Sequence, residues 1–237
     1  MFDSDVINPL LRGAQLTLQL TLFAAMLGTS MSVVSGLASM AEARPVRYVA
    51  RVYVEFFRGT SAIVQLWWFY YGLPLLMPSI FDLAVIGPVL DVFLPTRFSP
   101  LMAGVLVLGL NMGSYGSEVV RGGIQAVGKG QREASIALSL TPFQRMRYVI
   151  FPQATLAMLP PYGNLLIELL KGTALVSTIA AVDIMREANI LRNNHVASAL
   201  LIYAVVLLIY FAIALFITAL IRIAERYASR GLDIGRA

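Results

Sequence analysis

The sequence predicts an all-α membrane protein with about five transmembrane helices, its N-terminus outside and its C-terminus in the cytoplasm. Three observations predict it. First, the 237 residues are 58% hydrophobic and only 13% charged, too little polar surface for a soluble domain of that length. Second, four runs contain no Asp, Glu, Lys or Arg: Gly13 to Ala41, Gly59 to Phe81, Phe98 to Ser117 and Val196 to Ile221. Each meets the roughly 20-residue requirement for crossing a hydrocarbon core about 30 Å thick. Third, the basic residues at the ends of these runs gather on one side, which fixes the orientation.

The elements follow in order. The N-terminal MFDSDVINPLLRG carries acids where a signal peptide would be basic, so the first helix, over 10–41, is expected to be retained. The second spans 46–74 and the third 98–126. Between them, residues 75–97 have an apolar core of about 12 residues broken by Pro88, which suits an interfacial or re-entrant outer loop. The fourth span, 160–182, is interrupted by Glu168 and Lys171. Pro160 and Pro161 suit its start, where a missing N–H costs nothing, and Pro152 disfavours one continuous helix from Phe143 into the span. The fifth covers 196–224.

An odd number of spans puts the termini on opposite sides. Arg44, Arg47, Arg51, Lys129, Arg132, Arg145, Arg147, Arg222, Arg226, Arg230 and Arg236 then share the C-terminal side, against Arg12, Arg97, Arg186 and Arg192 on the other. The positive-inside rule makes the larger group cytoplasmic. The net charge of +5 is thereby a topological signal, and no nucleic-acid partner is implied. The absence of cysteine excludes a disulfide framework and a thiolate site. Residues 1–237 read as a single transmembrane domain.

Within it, the polar connection at about 127–153 holds two helical patterns. From Gln131, the residues Ala134, Ala137 and Leu138 share one face, with Arg132 and Glu133 elsewhere. A turn at Ser139–Thr141 leads to a second start signal: Thr141 as N-cap, Pro142 at the first position, and Gln144 closing a capping box. Phe143, Met146 and Ile150 continue as an apolar stripe. Periodicity alone leaves two readings open, an amphipathic loop lying on the membrane and a rigid unit that presents a surface to a partner.

The order E-A-S-x3-S-x9-V-x-F-P, on Glu133, Ala134, Ser135, Ser139, Val149, Phe151 and Pro152, resembles a loop signature of permease subunits in binding-protein-dependent ABC importers. The family pattern is E-A-A, three residues, G, nine residues, I-x-L-P. Further blocks are similar to the polar amino acid branch in the same order: YVEFFRGTSAIVQLWWFYYGLP (53–74), GLNMGSYGSEVVRGGIQAVGKGQREA (109–134) and LPPYGNLLIELLKGTALVS (159–177). The stretch NLLIELLKGTALVS and the ending SRGLDIGR look closest to permeases for ectoine and hydroxyectoine.

The resemblance implies a type I ABC importer permease fold in a bacterial inner membrane. It implies two cytoplasmic ATPase subunits, a second permease chain, identical or homologous, and an extracytoplasmic solute-binding protein. ATP and Mg²⁺ would be used by the ATPase, with no cofactor bound by this chain. The loop would dock on the ATPase through Gln131, Arg132, Glu133, Ala134, Ser135, Ser139 and Pro152. Ser139 departs from the motif glycine, the natural residue for a positive-φ turn; serine can serve there if the turn stays in ordinary φ/ψ space, so the residues leave the local turn geometry open.

GIQAVGKG (123–130) falls one residue short of a P-loop, with Gly130 in place of the hydroxyl that binds Mg²⁺ and a membrane helix in place of the preceding strand. ATP hydrolysis must come from another chain, so this one is not expected to be an enzyme. His195, the single histidine, has no second ligand nearby in sequence to make a metal site. Arg47, Arg51, Glu55 and Arg58 form one charged stripe, read as ion pairs along the helix at Arg51–Glu55 and Glu55–Arg58, with gating open to Arg58.

Glu118, Glu168 and Lys171 lie in or at the end of apolar spans, where ionised groups face a partner or a watery path. Glu168 and Lys171 are either a self-neutralising i, i+3 pair or part of a site for a zwitterion, with Asn111, Ser114, Tyr115 and Asn164 supplying uncharged hydrogen bonds. A stand-alone secondary transporter or channel for a small zwitterion is the alternative, and it would show repeat symmetry and no cytoplasmic docking unit.

Overall fold

The structure is a computed structural model that describes residues 4–76, 99–194 and 199–229. Most of the outer segment at 75–97, His195 and the arginines at 97, 230 and 236 lie outside the described residues. Among the described residues the fold is all helical. Helix α1 runs Ser4–Ala38, α2 Arg44–Gly59, and α3 starts at Ala62–Trp67 and continues through a π turn at Trp68–Gly72 to Leu76. Then come α4 Pro100–Ala126, α5 Lys129–Ala137 and the single turn α6 Pro142–Arg145. A π turn at Met146–Ile150 joins α6 to α7, Phe151–Gly172, which ends in a 3-10 turn at Thr173–Ile179. Helices α8, Ile184–Asn194, and α9, Ala199–Ser229, complete the chain.

By length and composition Val6–Ala38 and Ala199–Ser229 can each cross a membrane alone. Pro142–Ile179 and Ile184–Asn194 qualify only as a pair bent by 53°.

Helices α1 and α4 form the spine. They approach closely because small residues face each other. A Cβ built at Gly113 would lie 2.7 Å from the Cβ of Met31 and 2.6 Å from the Oη of Tyr53, so no side chain fits there. Hydroxyls on this face donate back along their own helix, Ser32 to the Gly28 carbonyl and Thr21 to that of Thr17, both at 2.7 Å. Polar groups in an apolar rod are thus satisfied locally.

Three buried clusters lie along the spine. Leu10, Ile184, Ala188 and Ile202 close one end. Leu20, Leu66, Val107 and Ile179 fill the middle. Val120, Ile124, Ile150 and Ala154 seat the α5–α6 unit at the other end.

The expected second helix, 46–74, is in fact two. Gly59 ends α2, and Thr60 (φ −120°, ψ 150°) and Ser61 (φ −70°, ψ 133°) are extended. The break frees carbonyls that a membrane interior cannot solvate. Buried Gln65 answers them, donating Nε2 to the Phe57 carbonyl at 3.1 Å and the Thr60 carbonyl at 3.2 Å. Asn111 of α4 donates Nδ2 to the same Phe57 carbonyl at 3.0 Å.

The start of the fourth span also differs. The helix runs on from Phe143 into the span, contrary to the expectation from Pro152, and Pro160 and Pro161 lie inside α7 rather than at its start. The widened π turn shifts the hydrogen-bond register just before Pro152, where a missing N–H is then harmless. The span also ends before 182, in the 3-10 turn closed by Ala180 at φ 64°. Helix α8 was not expected; Asp183 caps it by accepting from the Arg186 N–H at 2.9 Å.

The loop unit carries its expected capping box: the Gln144 N–H donates to the Thr141 Oγ1 at 3.3 Å, and the Thr141 N–H to the Gln144 Oε1 at 2.9 Å. Ser139, however, sits at φ 56°, so the turn keeps the left-handed geometry that favours glycine. Ser139→Gly is therefore expected to stabilise the loop by about 0.5–1 kcal/mol. Thermal unfolding of the purified complex, or slower proteolysis at 138–141, would read the gain; unchanged cleavage would count against strain at this turn.

Candidate functional site

Two cavities follow one another along α4. The first is about 180 Å³ and is lined by Ala62, Leu108, Asn111, Tyr115, Leu165 and Glu168, among others. Helix α7 brings Glu168 to it, α4 brings Asn111 and Tyr115, and the first residue after the α2–α3 break supplies Ala62. Three residues singled out from the sequence, Asn111, Tyr115 and Glu168, therefore meet at one cavity. Its polar rim offers a carboxylate, an amide and a phenol, a donor–acceptor set suited to a small polar molecule.

The other candidates stand elsewhere. Ser114 is fully buried and donates to the Asn111 carbonyl at 2.7 Å. Asn164 is exposed on α7 and is not among the cavity's lining. Of the two readings of Glu168 and Lys171, the self-neutralising pair does not form: among the described residues the one ion pair is Arg121–Glu118, at 2.5 Å, and Glu168 and Lys171 are both exposed and unpaired. The stripe on α2 likewise forms no ion pair: Arg51, Glu55 and Arg58 line open space, with the Arg58 guanidinium over the Tyr115 ring.

That space is the second cavity, about 580 Å³, lined by Arg51, Glu55, Arg58, Glu118, Arg121 and Gln125 with Ser39, Met40, Ala50 and Val54. Glu118, expected beside the other charges of the solute path, lies here instead, held by Arg121 one turn along α4. Gln65 was missed entirely. Its signal is Gly59-Thr60-Ser61, a stop and two start residues inside an apolar run, with one amide side chain a turn further on.

The α5–α6 unit sits at the far end of the same helix. Arg132 donates Nη2 to the Ile124 carbonyl at 2.6 Å, buried Ser135 donates to the Arg132 carbonyl at 2.6 Å, and Gln153 of α7 donates to the Gln131 Oε1 at 3.3 Å. Glu133 and Ala134 are exposed. The face of Ala134, Ala137 and Leu138 points away from the protein, Leu138 being 73% exposed. The expected stripe divides: Ile150 is buried and Met146 packs beside it, while Phe143 is 74% exposed. The unit is thus pinned from behind and bare in front. Residues 123–126 of the near-P-loop form the last turn of α4, Val127 and Gly128 are extended, and Lys129 and Gly130 open α5.

Residues 19–230 match the family described as binding-protein-dependent transport system inner membrane component. A probable amino-acid ABC transporter permease of Sinorhizobium fredii is 40% identical over 95% of this chain and 90% of its own length. The glutamine transport system permease of Escherichia coli is 32% identical over 95% of this chain and 97% of its own. A crystal structure of an amino acid ABC transporter superposes with a TM-score of 0.78 at 34% identity, covering 93% of this chain and 94% of that one. The fold is that of a type I ABC importer permease, and the relatives are translocation subunits rather than enzymes. The chain belongs to the binding-protein-dependent transport system inner membrane components, as a multi-pass permease subunit of an ABC importer.

Proposed function

We propose that this permease carries a polar amino acid, or an amino-acid-derived compatible solute such as ectoine or hydroxyectoine, through a path that includes the Glu168 cavity. The observation that carries the reading is an unpaired carboxylate placed with an amide and a phenol on a cavity of about 180 Å³ inside a permease fold. The named substrates of the relatives are amino acids and glutamine, which agrees with that chemistry. A cationic group of the solute would meet Glu168, with Asn111 and Tyr115 orienting the rest.

In this reading the chain crosses five times, N-out and C-in. It pairs with a second permease chain, identical or homologous, and receives solute from an extracytoplasmic binding protein. Two ATPase subunits bind ATP and Mg²⁺ and engage the α5–α6 unit. Their closure biases two packings of the bundle through differential binding. Lys171 and Asn164 stand near the path on α7 without lining the cavity, and Ser114 supports Asn111 from behind.

Competition uptake in membranes holding the whole complex tests the solute class. One polar amino acid or one ectoine is expected to displace the labelled solute at the lowest concentration. Saturable uptake unaffected by the entire panel, or uptake persisting without any ATPase subunit, would refute the reading. The isolated chain is expected neither to bind nor to hydrolyse ATP, since the near-P-loop follows a membrane helix rather than a strand and lacks the Mg²⁺ hydroxyl. Saturable nucleotide binding by the purified chain would sink that expectation.

A further inference from the structure

We propose that the two cavities are consecutive halves of one solute path, and that Arg58, stacked on Tyr115, is the barrier between them; this rests on the importer reading above. The lining of α4 is continuous. Leu108, Asn111 and Tyr115 face the smaller cavity, and Glu118, Arg121 and Gln125 the larger. Steps of three and four residues keep all of these on one helix face. From Asn111 to Gln125 that face extends about 21 Å at 1.5 Å per residue.

The opposite wall is continuous too. Arg51, Glu55 and Arg58 of α2 line the larger cavity, and Ala62, first residue after the break, lines the smaller. A stripe of unpaired charges on such a space, some 580 Å³ in volume, marks a watery passage rather than a face that shields itself.

At the junction the Arg58 guanidinium lies 5.3 Å from the centroid of the Tyr115 ring. Arg58 belongs to one cavity and Tyr115 to the other. Among the described residues the guanidinium has no carboxylate partner: Glu118 is taken by Arg121, and Glu55, three residues back on α2, forms no ion pair. A ring face holds a guanidinium less tightly than a carboxylate does, through two parallel hydrogen bonds. A solute bearing a carboxylate can therefore lift Arg58 from the ring and open the way, whereas the empty path stays closed.

The barrier is also positioned. Gln65 and Asn111 both hold the Phe57 carbonyl, next to Arg58, at 3.1 and 3.0 Å. Asn111 lines the solute cavity as well, so a solute that takes its amide loosens the end of α2 that carries Arg58.

The protein has no cysteine, so Ala62→Cys makes a single thiol on the smaller cavity. The nucleotide-free complex, in vesicles exposing the α5–α6 side, would be labelled with membrane-impermeant methanethiosulfonates, one cationic and one anionic. Labelling of Ala62→Cys is expected to be slow. Adding Arg58→Ala should accelerate it about tenfold with both reagents, while Arg58→Lys, which keeps a cation over the ring, should stay near the parent rate.

Acceleration with the cationic reagent alone would show only a change of local field and overturn the barrier. So would fast labelling with Arg58 in place, or acceleration from both membrane sides, which marks a loosened fold. The importer reading fails separately, if the unsubstituted complex shows no ATP-driven uptake, whatever the labelling rates.

Discussion

Glu133→Lys is expected to abolish ATP-driven uptake while the chain still inserts in the membrane and folds. Glu133 is exposed on α5, with no hydrogen bond or ion pair among the described residues, so charge reversal removes no contact seen there. Its neighbours in the motif behave differently. Arg132 is fastened to Ile124 and Ser135 is buried, so changes there would loosen the unit before they touched a partner. Around Glu133, the exposed Ile136, Leu138 and Phe143 present apolar surface at the end of the bundle away from the α8 cluster. An apolar patch rimmed by charge fits a docked partner. A reversed charge trapped at such a contact costs about 2–5 kcal/mol, enough to lower affinity at least tenfold. The measurement is recovery of the ATPase with the tagged permease, together with uptake at matched membrane levels. Normal uptake with normal ATPase recovery would remove Glu133 from the coupling surface.

The loop was legible in the sequence because its signals are local. Thr141, Pro142 and Gln144 form a cap whose hydrogen bonds lie within four residues, and the structure closes it as written. The spine was legible for a related reason: a charge-free run of spanning length has few alternatives to a helix. What escaped depends on tertiary partners. The break at Thr60–Ser61 is held open by Gln65 and by Asn111, 54 residues from Phe57 in sequence, and hydropathy carries no trace of that contact. Continuity through Pro152 needed a π turn, which shifts register without any distinctive residue pattern. At Ser139 the residues left the turn geometry open, since a serine takes a positive φ less readily than the motif glycine, and the turn adopts φ 56°.

Spacing read the α2 stripe as paired and left Glu168 and Lys171 open, for a physical reason. Spacing of i, i+3 allows an ion pair but does not produce one, since exposed pairs gain little and lose side-chain entropy. Glu118–Arg121 closes and Glu168–Lys171, at the same spacing, does not.

That difference sharpens what Glu168→Gln should do. The substitution keeps size and most hydrogen-bonding capacity but removes the charge at the smaller cavity, where Asn111 and Tyr115 also converge. A charge-assisted hydrogen bond to a solute cation contributes about 1.5–3 kcal/mol. Its loss should lower uptake at low solute concentration by roughly 10- to 150-fold. Assembly with the ATPase should persist, because Glu168 lies on α7 far from the α5–α6 unit that packs at the helix's first turns. If the carboxylate merely balanced Lys171, removing both charges would restore transport. The structure shows no such pair, so Glu168→Gln with Lys171→Gln is expected to transport no better than Glu168→Gln alone. Wild type, the two single variants and the double variant, compared for uptake at equal membrane levels, form the complete cycle. Recovery in the double variant would mean that the two residues pair during transport, and the carboxylate would lose its place as the anchor for the solute's cation.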